Sequence, residues 1–255
     1  MKMMDSLIAQ GRYLFQWRSY APLVLLPVAA MEFGNSSWVS TRFGIAVDDG
    51  LDLFCLCCSV TGVGLRILTV GFVPSSTSGR STTKMRAAQL NTTGMYSLLR
   101  HPLYAANFVV FLGFVLAVKS IVFVLLATMA FVVYYERIIL AEEQFLEMSY
   151  GDEFRDWAAR TPAVIPRFPS WASPSLPFSW RAAMQREYHG VLLVGVVFFL
   201  SKLSEGLIIR QQTIQNWFAN ERAYVIMLLL CSIFYSVASY IRKRTNLLAV
   251  GGRGP

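Results

Sequence analysis

The chain has 255 residues; 55% are hydrophobic, only 15% are charged, and the formal net charge is +8. Soluble domains carry roughly 25% charged residues, so a water-soluble globule is excluded, and several apolar runs approach the ~20 residues that cross a bilayer as a helix. Those runs do not alternate, which excludes a barrel, and backbone groups in lipid must then be satisfied within helices. The expected fold is all-α: a polytopic integral membrane helical bundle of about six transmembrane helices, with both termini cytoplasmic.

In chain order, residues 5–18 mix Leu7, Ile8, Tyr13, Leu14, Phe15 and Trp17 with Arg12 and Arg18. This suits an interfacial helix in a head-group layer; a frayed terminus is the alternative. Spans are expected at about 20–38, 51–73, 103–118, 120–139, 189–209 and 224–241. The first holds Pro22 and Pro27, with Glu32 near its end. It reads alternatively as the apolar core of a signal peptide with Val28-Ala29-Ala30 near a cleavage site. Cys55, Cys57, Cys58 and Cys231 all lie in apolar runs, as packed thiols do, so no metal is expected. The Asn35-Ser-Ser37 sequon is short enough to arise by chance. Pro169, Pro174 and Pro177 forbid a long helix through 169–187, and Trp171, Phe178 and Trp180 place that linker at the membrane interface.

Lysine and arginine alternate in density between the spans: seventeen fall in alternate segments that include both termini, against four in the others. This is the positive-inside pattern. The basic charge is thereby an orientation signal and a contact for anionic lipid head groups, and nothing further supports nucleic-acid binding. The division that follows is an N-terminal interfacial segment and first span (1–50), a membrane core with a cytoplasmic site (51–168), an interfacial linker (169–188), and a C-terminal helical hairpin with a basic tail (189–255).

Chemistry is expected where Thr93-Gly-Met-Tyr-Ser-Leu-Leu-Arg-His-Pro-Leu-Tyr104 enters the third span and Glu142-Glu143 leaves the fourth. Pro102 suits the first helical turn and puts His101 at the cap. A helix start takes a carboxylate or phosphate, and Arg100 adds an anion clamp. The bland reading is a border that anchors head groups. Glu142 and Glu143 are adjacent, about 100° apart on a helix, so only one is expected to face the site. A solvated first turn is the alternative for both. Arg66, within the second span, either snorkels to the interface or points into the bundle as an anion partner. Lys202 and Glu205 are spaced to pair with each other. Phe154 and Trp157 share a face, to close over a flat ring or simply to pack.

Together, Gly94-x-Tyr96-x-x-x-Arg100-His101-Pro102-x-Tyr104, a helical hairpin, Glu142-Glu143-x-x-Leu146, Gly151-x-x-Phe154-x-x-Trp157 and Ile165-Pro166 resemble the isoprenylcysteine carboxyl methyltransferase and phospholipid methyltransferase superfamily. Leu65-Arg66, Val73-Pro74 and Ser78-Gly79-Arg80 resemble its bacterial branch. The resemblance covers about 51–168; the family usually has Tyr where this chain has Phe154 and Trp157. It implies a multi-pass bacterial inner-membrane enzyme that uses S-adenosylmethionine on the cytoplasmic side and draws a lipid or lipid-linked acceptor from the bilayer.

Carried over residue by residue, His101, Pro102, Tyr104, Glu142 and Glu143 are cofactor contacts, and Gly94 and Tyr96 line the entry. Arg100 is structural or holds an anionic group, and is placed with Glu142 and Glu143 as a catalytic candidate. Arg66, Arg100 and Trp157 are acceptor-side candidates. The basic border of Arg80, Lys84, Arg86 and Arg100 favours a carboxylate or phosphate acceptor. Two other readings stay open. Membrane sterol reductases carry a similar His-Pro-x-Tyr element and hold NADPH. A non-enzymatic lipid-binding protein would keep the scaffold alone.

Overall fold

A computed structural model describes residues 3–34, 36–74 and 89–245. Asn35 of the sequon, Ser78-Gly79-Arg80 and the basic Arg80, Lys84 and Arg86 lie outside the described residues. The described chain is helical: α1 (Met3–Trp17), a 3-10 turn (Ala21–Leu25) running into α2 (Leu26–Phe33), α3 (Trp38–Phe43), α4 (Ile45–Gly71), α5 (Met95–Leu98), α6 (Pro102–Leu116), α7 (Ile121–Tyr150), α8 (Asp152–Arg160), α9 (Trp180–Ser204), α10 (Ile214–Asn220) and α11 (Arg222–Arg244). A π-helical turn, Glu205–Ile209, continues α9.

Among the described residues, four helices are long and apolar enough to cross a membrane: α4, α7, α9 with its π turn, and α11. The expected first and third spans are the shorter apolar helices Ala21–Phe33 and Pro102–Leu116. Helix α6 has 15 residues, about 22 Å of rise against a hydrocarbon core of ~30 Å. Of the about six expected transmembrane helices, four are long helices and two are the shorter apolar ones. The chain is a multi-pass membrane bundle on these four.

The helices pack in a row. Helix α1 lies along α7, α7 meets α6, α6 packs most extensively on α4, α4 on α9, and α9 on α11. Close approach of α4 and α6 needs small residues: a Cβ on Gly62 would stand 2.6 Å from the Val110 backbone nitrogen, and one on Gly113 would collide with Ser59 and the Cys55 carbonyl. The Ser59 hydroxyl donates across this seam to the Val110 carbonyl at 3.0 Å, which satisfies it in an apolar setting. One core joins Cys55, Val63, Ala117, Val194 and Phe198; a second joins Val115, Val118, Phe123 and Ala127 with Leu25 and Ala29 of the α2 region. The N-terminal helix is docked rather than frayed: Gly11 abuts the Arg137 backbone, and the Tyr134 hydroxyl donates to the Leu14 carbonyl at 2.6 Å.

Three helix boundaries matter for the site. Helix α7 runs without a break to Tyr150, so Glu142, Glu143 and Leu146 all ride on the hairpin's second helix until Gly151, at φ +55°, ends it. Helix α4 begins at Ile45, six residues before the expected span, and so adds Asp48, which is buried, and Asp49, which is exposed, to the helix that carries Asp52. Helix α9 starts at Trp180 because the Ser179 side chain caps it, accepting from the Ala182 amide. The linker is correspondingly shorter than expected, and Glu187 joins a span. The starts of α6 and α9 and the ends of α4, α7 and α11 define one end of the bundle, called here the site end; the α6–α7 turn defines the other, the turn end.

Candidate functional site

The site end is built around the break between α5 and α6. Pro102 occupies the first turn of α6 and His101 the N-cap position. The His101 side chain does not cap the helix. It is buried, and its ring stands between two carboxylates: Nε2 is 3.0 Å from Glu143 Oε1, and Nδ1 is 3.7 Å from Glu142 Oε2. Adjacent helical positions were expected to give one facing residue. Both face the site because an imidazole offers nitrogens on two sides, and two side chains splayed about 100° apart can reach one each.

Arg100 braces this arrangement. Its Nε donates to Glu143 Oε1 at 2.8 Å, and its Nη1 donates to the Ala158 and Thr161 carbonyls at 2.8 and 3.0 Å. The backbone joins in, since the Arg100 amide donates to the Pro162 carbonyl and the His101 amide to the Ala163 carbonyl. The guanidinium thus bonds one carboxylate and two backbone carbonyls. Glu143 is held by both Arg100 and His101. Glu142 is not: its Oε2 is buried and carries no hydrogen bond. The Trp157 indole nitrogen is likewise buried without one. Orphaned buried polar atoms are rare in native structures and call for an explanation.

Around this core, Tyr104 stacks on His101 with ring centroids 5.7 Å apart. Tyr104 also packs on Tyr135, which sits on Phe131 at 4.2 Å. Tyr96 packs with Leu90, Phe154, Trp157, Leu146 and Tyr150 in an apolar cover over the site. Burial, and then the charge of Glu142, raise the Tyr96 phenol above its ordinary pKa, while Arg186 and Arg66 pull the other way. Tyr96 is therefore a neutral O–H group at any physiological pH. Gly94 is buried at φ +60°, a conformation that L side chains rarely adopt, and Pro174 packs against it. Its amide donates to the Ala172 carbonyl at 2.9 Å.

Arg66 points into the bundle rather than snorkelling. It grips Glu187 of α9 with two bonds, Nε to Oε2 at 2.7 Å and Nη2 to Oε1 at 3.0 Å, and also donates to the Asn107 side-chain oxygen. Glu187, Asn107 and Tyr135 were missed in the sequence. A lone Asn within an apolar run was the available signal; Glu187 was hidden by its assignment to the linker. The structure thus gathers Arg100, His101, Tyr104, Glu142 and Glu143 into one cluster and sets Tyr96 and Trp157 above it. It places Arg66 in a separate ion pair and Gly94 in a supporting turn.

A second polar cluster fills the turn end. Lys119, between α6 and α7, pairs with Asp48 at 2.7 Å, Asp52 at 3.0 Å and Glu205 at 3.3 Å. Lys202 pairs with Asp49, Asp52 and Glu205, and Arg210 with Asp48, Asp49 and Glu205. The expected Lys202–Glu205 pair is present within it. Asp48, Asp49 and Asp52 have carboxylate oxygens within 4.8 Å of one another, a spacing a cation could use. Three side-chain cations already occupy their oxygens. Burial lowers the pKa of the Lys119 ammonium, but Asp52, Asp48 and Glu205 more than offset it, so the group lies above its ordinary value.

The sequence model of the phospholipid methyltransferase family matches residues 58–153, a stretch from mid-α4 to the start of α8 that contains the whole Arg-His-Glu-Glu cluster. The nickel-cobalt-cadmium resistance protein NccN of Alcaligenes xylosoxydans xylosoxydans is 33% identical over 174 residues, 68% of this chain and 72% of that protein. The cobalt-zinc-cadmium resistance protein CzcN of Cupriavidus metallidurans is 33% identical over 153 residues, 59% of this chain and 62% of that protein. No solved structure matches the chain.

Proposed function

Because this chain belongs to the phospholipid methyltransferase family, we propose that it is a methyltransferase that binds S-adenosylmethionine at the site end, and that it methylates a carboxylate or phosphate of a membrane lipid or lipid-linked substrate. The observation that carries the reading is Glu142 Oε2, buried without a hydrogen bond 3.7 Å from His101 Nδ1, while Glu143 Oε1 is held by both Arg100 and His101. A buried carboxylate oxygen left open in this way fits a hydroxyl or amine donor, and S-adenosylmethionine offers both on its ribose and methionyl parts. The α6 start suits its carboxylate. Tyr104, Tyr96 and Trp157 give aromatic faces suited to a sulfonium and an adenine ring.

Bound S-adenosylmethionine supplies an electrophilic methyl group on a positively charged sulfur. The chain's residues have a positioning task, since in-line displacement gains most from fixed geometry. Arg100 and Glu143 lock the imidazole of His101. Glu142 and Tyr104 orient the donor, and the apolar cover of Phe154, Trp157 and Tyr150 excludes water. An anionic oxygen acceptor needs no general base, and none is assigned. Arg66 is a weaker acceptor clamp than its position alone suggests, because Glu187 neutralises it; of the acceptor-side candidates, Trp157 keeps an open donor, its buried indole N–H.

The named relatives are metal-resistance proteins. For this chain we read resistance as the setting in which a membrane methylation acts, and we assign no metal to it. Its acidic trio at the turn end is matched by Lys119, Lys202 and Arg210.

Calorimetric titration of the purified protein with S-adenosylmethionine and, separately, NADPH tests the proposal. Binding of the first alone, followed by labelled-methyl transfer into a lipid extract, is expected. Binding of NADPH alone would replace the transferase with a reductase.

A further inference from the structure

Residues 162–172 run across the site end as an irregular strap with two distinct faces. The inner face holds the catalytic segment through the backbone. Arg100 and His101 donate to the Pro162 and Ala163 carbonyls, Arg167 donates back to the Leu98 carbonyl, and Gly94 donates to the Ala172 carbonyl. The Ala172 amide donates to the Ser97 hydroxyl. The outer face is apolar and open: Ile165 is 80% exposed and Phe168 73%, with Val164 and Trp171 beside them. Soluble surfaces rarely leave such a contiguous run uncovered.

Charge identifies the cover. Between Asp156 and Glu187 the chain has no carboxylate and four arginines, of which Arg160, Arg167 and Arg181 are exposed. The position agrees, since the strap leads to Ser179, whose amide bonds to the last residue of α4, Gly71, and α9 departs at the exposed Trp180. The apolar face is thereby continuous with the outer surface of the spans, at the depth where Trp and Arg settle. We propose that the strap is a membrane-interface anchor: Ile165, Phe168 and Trp171 insert among the anionic head groups of the host bilayer, Arg160, Arg167 and Arg181 pair with their charges, and insertion orders Arg100 and His101 through the strap's inner hydrogen bonds. This holds whatever reaction the site performs.

The test places nitroxide labels by Ile165→Cys and Phe168→Cys, and on α8 by Glu153→Cys as an aqueous reference. The background has the four native cysteines replaced by alanine and retains wild-type helical circular dichroism. Proteins are studied in nanodiscs of phosphatidylcholine with and without phosphatidylglycerol. Labels at 165 and 168 are expected to be reached by oxygen and shielded from a water-soluble nickel chelate, with the reverse at 153. They are expected to sit deeper when phosphatidylglycerol is present, and that dependence disappears with Arg160→Gln, Arg167→Gln and Arg181→Gln combined. Chelate access at 165 and 168 equal to that at 153 would overturn the anchor. Exclusion of both probes would overturn it too, by showing that protein, such as a second copy, covers the face. Indifference to phosphatidylglycerol would overturn the anionic partner.

Hydrogen exchange tests the coupling. In Ile165→Asp/Phe168→Asp, whose side chains point outward, the Arg100 and His101 amides should exchange about tenfold faster in nanodiscs, with α11 unchanged. Unaltered exchange at these two amides would overturn the coupling.

Discussion

The two ends of the bundle carry polar clusters made from much the same residue types, and they differ in closure. At the turn end, four carboxylates from α4 and the α9 π turn meet Lys119, Lys202 and Arg210, and every carboxylate has at least two cationic partners. At the site end, Glu143 has two partners, while the buried Oε2 of its neighbour Glu142 has no hydrogen bond and stands 3.7 Å from His101 Nδ1, against 2.7 Å between Asp48 Oδ1 and Lys119 Nζ at the turn end. A closed network of buried charges holds elements together and resists rearrangement, because removal of one member strands the others. An open one has a place for a ligand. The family match adds to the contrast. It contains the site-end cluster whole, whereas at the turn end it contains Lys119 and not Asp48, Asp49, Asp52, Lys202, Glu205 or Arg210. Lys119, at φ +59°, is the point where the family core is tied to helices on either side of it.

Predictions from this contrast begin with the largest effect. Lys119→Met should remove the central cation of the closed cluster and cost about 3–5 kcal/mol of stability, read as a fall in thermal midpoint in detergent. Protein that remains folded should keep its S-adenosylmethionine affinity. Loss of binding without loss of stability would merge the two ends into one site.

Next come Glu142→Ala and His101→Ala. Each should weaken S-adenosylmethionine binding about a hundredfold, or roughly 2.7 kcal/mol. Glu142→Ala should leave the thermal midpoint almost unchanged, because its carboxylate is the less engaged of the pair. Glu143→Ala should lose both binding and stability, since it strands Arg100. Equal stability effects at 142 and 143 would erase the open-versus-held distinction.

Gly94→Ala forces a Cβ onto a left-handed backbone beside Pro174 and should cost about 1–2 kcal/mol. The melt reports that cost, with weaker binding as its consequence. The smallest effect is a pH dependence. A raised Lys119 pKa in the folded state means its stabilisation is complete below about pH 10.4, its ordinary value, and fades as pH rises through the folded-state value. The stability gap between wild type and Lys119→Met should therefore be flat through neutral pH and close only in strong alkali.

Much of the site was legible in the sequence because it is local. Arg100, His101, Pro102 and Tyr104 fall within one turn of a helix start, and Glu142 and Glu143 are adjacent. What pairs across the bundle was less readable. Arg66 showed itself as an out-of-place charge, but its partner Glu187 lies 121 positions away, within a segment whose prolines pointed to a linker. Asp48 and Asp49 fell before the expected second span and Asp52 just inside it, since hydropathy places a span's edge where charge begins. The helix instead extends outward because Lys119, Lys202 and Arg210 neutralise that turn. The short α6 was legible: the apolar run read as 103–118 is the helix Pro102–Leu116, and the break at Lys119 falls between the two expected spans.

The central claim is that the open carboxylate at the site end holds S-adenosylmethionine, and titration of wild type, Glu142→Gln and Lys119→Met by calorimetry in nanodiscs tests it most directly. The account predicts a single site in wild type and in folded Lys119→Met, and loss of binding in Glu142→Gln, which keeps the shape and removes the charge. Undiminished binding by Glu142→Gln would contradict it.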